Sequence, residues 1–272
     1  MGQNNLWSKT NYLAPYPCII NNYITEYDIS KANINILLYY NVIDQNLYDT
    51  LYNMDKMSRE IYVGKMERSN PDITKIKAKG IEEFRHRFFE ANQLENKDIL
   101  AIKNDAIFVI GKECGYTQFD NILFNRSNVY TCYMNIGRLE VYYSFDPMSG
   151  NELLDIKGIK DSKLELHREC MVSHLCDLFY RLQTSSIEDA IKCNSDLLEC
   201  YLSRSLPKGF YREFNAESRY RFNSSFNVFT VDDITDNEVK FVDISTNLNV
   251  LRNISGCISA TYFSKVKGGQ NG

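Results

Sequence analysis

Apolar residues recur with two different periods along this chain, and the change of period marks its elements. A strand-like run from Tyr23 to Ile29 reaches an aspartate, Asp28, and leads into a segment with Ile34, Leu37 and Leu38 at helical spacing. Residues 44 to 66 read as one helix, because Leu47, Leu51, Met54, Ile61 and Tyr62 fall on one side and Asp44 can cap the start. Ser69-Asn70-Pro71 interrupts the pattern, and a second helix is expected from Asp72 to Asn92. Residues 98 to 112 hold two apolar runs joined by Lys103-Asn104-Asp105, a β-hairpin pattern, since Asn and Asp bond their own backbone and tolerate left-handed dihedrals. Val129 to Ser144 read as two further strands turning near Asn135-Ile136-Gly137-Arg138.

Beyond about Asp161 the helical period returns. Leu164, Met171, Leu175, Leu178 and Leu182 mark one amphipathic helix, and Ile187, Ile191, Leu197, Leu198 and Leu202 mark another, punctuated by Ser185-Ser186 and Pro207-Lys208-Gly209. Strand-like pieces follow at Phe226–Val231 and Val239–Ile244. The fold class is therefore α+β. Its expected parts are an N-terminal extension over 1–19, a sheet domain over 20–160 that contains the helices of 44–92, and a helical region with a mixed tail over 161–272.

Composition narrows the function classes. With 272 residues and 44% hydrophobic content the chain can bury a core. A net charge of -4 gives no global attraction to nucleic acid, so such binding must come from a local basic face. The N-terminus is polar, and no apolar run approaches the ~18 residues of a membrane span. Eight scattered cysteines without a Cys-x-x-Cys pair then read as reduced thiols, and a cytoplasmic location is expected, the host cytoplasm for a viral protein.

The candidate chemistry lies in carboxylates. Glu26 and Asp28 are two apart in a strand and project to one face, and Asp105 joins them if the hairpin pairs beside that strand. Such a set suits a hard divalent cation, Mg²⁺ or Mn²⁺, which takes oxygen ligands and phosphate together. The structural alternatives are that Asp28 caps the following helix and that Asp105 only shapes its turn.

Asp28-Ile29-Ser30-Lys31-Ala32-Asn33-Ile34-Asn35-Ile36-Leu37 resembles the first palm motif of family-A DNA polymerases, and Lys103-Asn104-Asp105-Ala106 resembles the third palm motif of template-directed polymerases. Lys157-Gly158 is similar to the Lys-Gly that follows the hairpin in family-B enzymes. The resemblance implies a palm-like antiparallel sheet backed by helices, with a helical thumb-like region. It also implies two-metal nucleotidyl transfer in a minimal viral polymerase acting on nucleic acid and nucleoside triphosphates. Asp28 and Asp105 would hold the metals, with Glu26 assisting. Arg59, Lys65, Lys75 and Lys79 would meet the triphosphate, and Lys157 the primer. Family-A enzymes carry Glu at the positions of Asn33 and Ala106, and their Arg-x-x-x-Lys finger helix has no recognisable counterpart here. The alternative is a catalytically degenerate palm-like subunit that binds nucleic acid or partner proteins in a viral replication, transcription or virion assembly.

Two further clusters have bland readings. His167, Cys170, His174 and Cys176 sit on one helix, which cannot present all four to one tetrahedral zinc. Tyr211-Arg212 and Arg219-Tyr220-Arg221-Phe222 interleave aromatic and basic groups as single-strand binding surfaces do, but also as amphipathic packing does.

Overall fold

Asn104, in the left-handed conformation at φ 54°, closes a tight turn between strands β3 (Ile99–Lys103) and β4 (Ala106–Ile110), as the Asn-Asp pair predicts. This hairpin belongs to a computed structural model that describes residues 5–137, 139–158, 168–211 and 241–268. The chain divides into two compact units, Met1–Pro15 with Tyr23–Val129, and Tyr16–Asn22 with Tyr130–Gly272.

In the first unit β4 runs antiparallel to β2 (Cys18–Ile29), with Ile24 opposite Ile110, Glu26 opposite Phe108 and Asp28 opposite Ala106. A short strand β1 (Asn11–Leu13) pairs with the far side of β3. The order is β1-β3-β4-β2-β6, where β6 spans Ile122–Ile136 and its start pairs with the two-residue β5 (Gln118–Phe119).

Four helices connect β2 to the hairpin. Helix α1 (Ala32–Tyr39) begins after Lys31, whose φ of 44° turns the chain, and no side chain caps it. Asp28 is thus not a helix cap; it stays in the ladder with β4. The single helix expected over 44–66 is two helices, α2 (Gln45–Asn53) and α3 (Lys56–Ser69). Asp44 caps the first as expected, accepting from Leu47 N–H at 2.8 Å, but Met54 is extended and Asp55 caps a new helix through Ser58 N–H at 3.0 Å. A second N-cap three to four turns after the first overrides a continuous apolar stripe, because it satisfies donors that would otherwise be orphaned. Helix α4 (Asp72–Ala91) follows the Pro71 break.

One core cluster of this unit lies between a face of the sheet and its helices, while Ile24 and Phe108 are fully buried on the other face. Tyr27, Ile29, Ile107 and Val109 point toward Ile36 of α1 and Phe84 and Phe88 of α4, and this set is almost wholly buried. Deleting a ring such as Phe88 would cost about 3–5 kcal/mol. Strand alternation then sends Glu26 and Asp28 to the opposite side.

In the second unit β6 pairs with β7 (Leu139–Phe145) and β7 with β8 (Glu152–Lys157), all antiparallel, with Ile136 opposite Leu139 as the expected turn requires. Met134, Val141 and Tyr143 meet Leu175 and Phe179 of α5 (Ser173–Thr184), with α6 (Ile187–Leu202) and α7 (Phe241–Gly268) completing the cluster. Residues 241–244, read above as strand, open α7; its Val250, Leu251, Ile254 and Ile258 supply an apolar stripe that tertiary packing stabilises as helix. The strand reading at 226–231, most of the aromatic-basic tail and His167 lie outside the described residues. No helix among the described residues is long and apolar enough to cross a membrane.

Candidate functional site

The β2–β4 register brings together the three carboxylates singled out above. Asp28 is opposite Ala106, the residue after Asp105, so the hairpin tip sets Asp105 beside the end of β2, and Glu26 lies one pleat back on the same face. The electrostatics reflect this crowding. Burial, then the negative charges of Asp105 and Glu26, push the Asp28 carboxyl up to about 6 from its ordinary 3.8, with Lys56 pulling it down. Glu26 is buried, and its Oε2 accepts from Asn128 Nδ2 at 2.8 Å, which fixes the carboxylate. Asp105 and Asp28 are half-buried. The three carboxylates thus concentrate negative charge around Asp28, but among the described residues no group of three or more His, Cys, Asp or Glu side chains is arranged to hold a metal ion.

The hairpin tip is held from below by a side chain that the sequence did not single out for this role. Arg85 of α4 is 2% exposed; its Nη1 donates to the Asn104 carbonyl and its Nε to the Trp7 carbonyl at 2.9 Å. Burial lowers the pKa of its guanidinium, while Glu82 and Asp105 raise it. Arg85 therefore positions the turn that carries Asp105 and supplies a nearby positive charge. In the sequence it is one member of a basic run, and only its tertiary contacts distinguish it. Lys56, the first residue of α3, is exposed and acts on Asp28, and it was likewise not among the expected phosphate contacts.

The expected phosphate contacts are more dispersed. Arg59 is buried on α3, with Nη1 donating to the Met54 carbonyl at 3.3 Å, so its guanidinium is engaged in the helix junction. Lys65 is exposed on α3 and Lys79 on α4. Lys75 pairs with Asp72 at 2.8 Å in full solvent, and such pairs contribute little. Lys77 and Arg87 are also engaged, with Glu67 and with Glu83 and Asp120 respectively. Lys157 is on β8 in the second unit, 2.7 Å from Asp155. Of the cysteine and histidine cluster, His174 Nε2 lies 3.0 Å from Asn194 Oδ1 inside the second unit.

No curated protein matches the chain. A family model described as bacteriophage PBS1 gene 130 protein matches residues 1–259. That match spans nearly the whole sequence and supports the viral origin read from it. The chain belongs to the bacteriophage PBS1 gene 130 protein family.

Proposed function

We propose that this phage protein carries a palm-like divalent-metal site for nucleotidyl transfer, with Asp28 and Asp105 as the metal-holding pair and Glu26 beside them. The observation that carries the reading is the register of Asp28 against Ala106, which makes two sequence-distant aspartates neighbours at one end of a sheet. A strand ending in Asp, helices, and a hairpin returning beside that strand is the arrangement the palm resemblance requires. The chemistry of the donors, oxygen ligands with excess negative charge, is the kind Mg²⁺ or Mn²⁺ takes, although among the described residues no three His, Cys, Asp or Glu side chains already converge as a ligand cluster.

Asp28 and Asp105 would hold the ions, which when bound would neutralise a triphosphate and lower the pKa of a primer hydroxyl. Asn128 orients Glu26, and Arg85 sets the height of the hairpin tip. Lys56, already acting on Asp28, is better situated for a phosphate than Lys75, which pairs with Asp72. Nucleic acid and nucleoside triphosphates are the partners this chemistry implies, in the host cell of the phage.

The second reading, a degenerate subunit of a larger viral assembly, is favoured by Ala106 and by the pairing of Lys75, Lys77 and Arg87 with acids. Primer extension with labelled nucleotides in Mg²⁺ or Mn²⁺ separates them. Incorporation that Asp28→Asn and Asp105→Asn each abolish supports the enzyme. Inert wild type that also binds no Mn²⁺ by paramagnetic relaxation supports the subunit.

A further inference from the structure

Trp7 forms one wall of a cleft of about 650 Å³ within the first unit, a volume in the range of small-molecule sites. Its indole lies on the His86 ring, with centroids 4.2 Å apart and planes tilted by 40°. Phe89 and Leu94 complete an apolar floor. The walls are fixed by backbone bonds. Arg85 Nε donates to the Trp7 carbonyl at 2.9 Å, Leu94 N–H to Phe89 O at 2.9 Å, and Lys112 Nζ to the Gln93 carbonyl at 2.7 Å. A preformed wall spares the ligand the cost of ordering it.

The rim defines the ligand. Two primary amides, Asn5 and Gln93, border the aromatic floor, and a primary amide carries both donors and an acceptor. The charges there are mostly negative: Glu90 lies 3.2 Å from His86, and Glu95 pairs with Lys97 at 2.8 Å. An aromatic floor with an amide rim suits a flat heterocycle with mixed donors and acceptors at its edge, and the carboxylates disfavour phosphate.

We propose that this cleft binds a neutral planar nucleobase, as the free nucleoside, with the base stacked on Trp7 and its edge bonded by the amides. The inference is independent of the carboxylate cluster, and neither depends on the other for its test.

Trp7 is the chain's single tryptophan, so its fluorescence reports on this cleft alone. The full-length protein is titrated with adenosine, with AMP, with oligo-dA and with phenyltrimethylammonium. Saturable quenching by adenosine, weaker binding of AMP and no tighter binding of the oligonucleotide support the proposal. No saturation by adenosine up to its solubility limit overturns it. So does tighter binding of AMP or oligo-dA, or a response to the ammonium ion alone. Trp7→Leu, followed by equilibrium dialysis of labelled adenosine, is expected to weaken binding roughly 5- to 150-fold, the usual worth of one stacked base. Should that variant fail to fold, Gln93→Asn retains the tryptophan and suits the left-handed φ of 51° at this position. It draws one amide back by a methylene and is expected to weaken binding roughly 2- to 10-fold. Unchanged affinity in that variant overturns the amide-rim assignment.

Discussion

Replacing Asp28 by Asn should stabilise the metal-free protein, and the gain should depend on pH in a direction fixed by the site. The Asp28 carboxyl is raised from 3.8 to about 6 by burial and by Asp105 and Glu26. A raised carboxyl favours the protonated form in the folded state. Its contribution to stability is therefore fully present below pH 3.8 and is lost as pH rises through about 6. At pH 8 the ionised group costs the folded state up to about 3 kcal/mol, the free-energy equivalent of that rise. Asparagine has nearly the same shape and no charge, so Asp28→Asn removes this cost and retains most of the packing. Allowing for the backbone N–H of Ile29 that the carboxylate loses, the net gain should be about 1–2 kcal/mol, or several degrees in Tm. Thermal melts of both proteins in EDTA at pH 8 and pH 4.5 test this. The gain should be clear at pH 8 and nearly absent at pH 4.5. Added Mg²⁺ should reverse the order, because a ligand at 100 times its Kd stabilises only the protein that binds it, by about 2.7 kcal/mol. A variant that is less stable than wild type at pH 8, or a gain that does not fall with pH, refutes the claim that burial and the neighbouring carboxylates disfavour the ionised Asp28 in the folded state.

Three other expectations follow from single contacts. Arg85→Met leaves the Asn104 and Trp7 carbonyls without their donor, so urea denaturation should show a loss of about 2–4 kcal/mol, and Arg85→Lys should recover only part of it because an ammonium lacks the fork that spans two carbonyls. His174 is held neutral by burial, below its ordinary 6.5; stability should be full above pH 6.5 and fall as pH drops below it, where the unfolded chain takes up a proton the folded one resists, and His174→Gln should flatten that slope in denaturant midpoints measured from pH 7.5 to 5. Gly80→Ala would drive a methyl group into Ile36 Cγ2 and against Tyr40 Cε2 at 3.0 Å, so α1 and α4 must separate; the expected loss is about 1–3 kcal/mol by calorimetry, and a neutral result would show that the two helices yield without cost.

The parts of this fold that were legible in the sequence are those specified locally. The hairpin at Asn104-Asp105 and the cap at Asp44 are written in a few adjacent residues whose side chains bond their own backbone, so tertiary structure did not alter them. The strand ending at Asp28 was legible for the same reason, yet its start at Cys18 was not, because Asn21-Asn22 interrupts the apolar alternation and Asn21 takes φ 53° inside the strand. The division of 44–66 turned on Asp55, one polar residue whose cap outweighs an apolar stripe running past it. Residues 241–244 open a long helix whose packed apolar stripe, Val250 to Ile258, lies farther along the chain, beyond the reach of a pattern read over four residues.

The same division runs through the candidate site. Glu26, Asp28 and Asp105 were visible because their spacing in strand and turn determines which face they share. The groups that tune them were not visible. Arg85 reaches the hairpin tip across 19 residues of chain, and Asn128 reaches Glu26 across 102. A motif can name the atoms that hold a metal, but the pKa of those atoms, and hence the pH at which they accept one, is set by neighbours that only the fold brings to them. Asp28 is the case in point: its pattern suits a ligand, a helix cap or a strand end equally well. The fold removes the helix-cap role, since Lys31 stands at the cap of α1, and half-burial beside two other carboxylates, with Lys56 acting on it, sets the raised pKa on which the proposed ligand role rests.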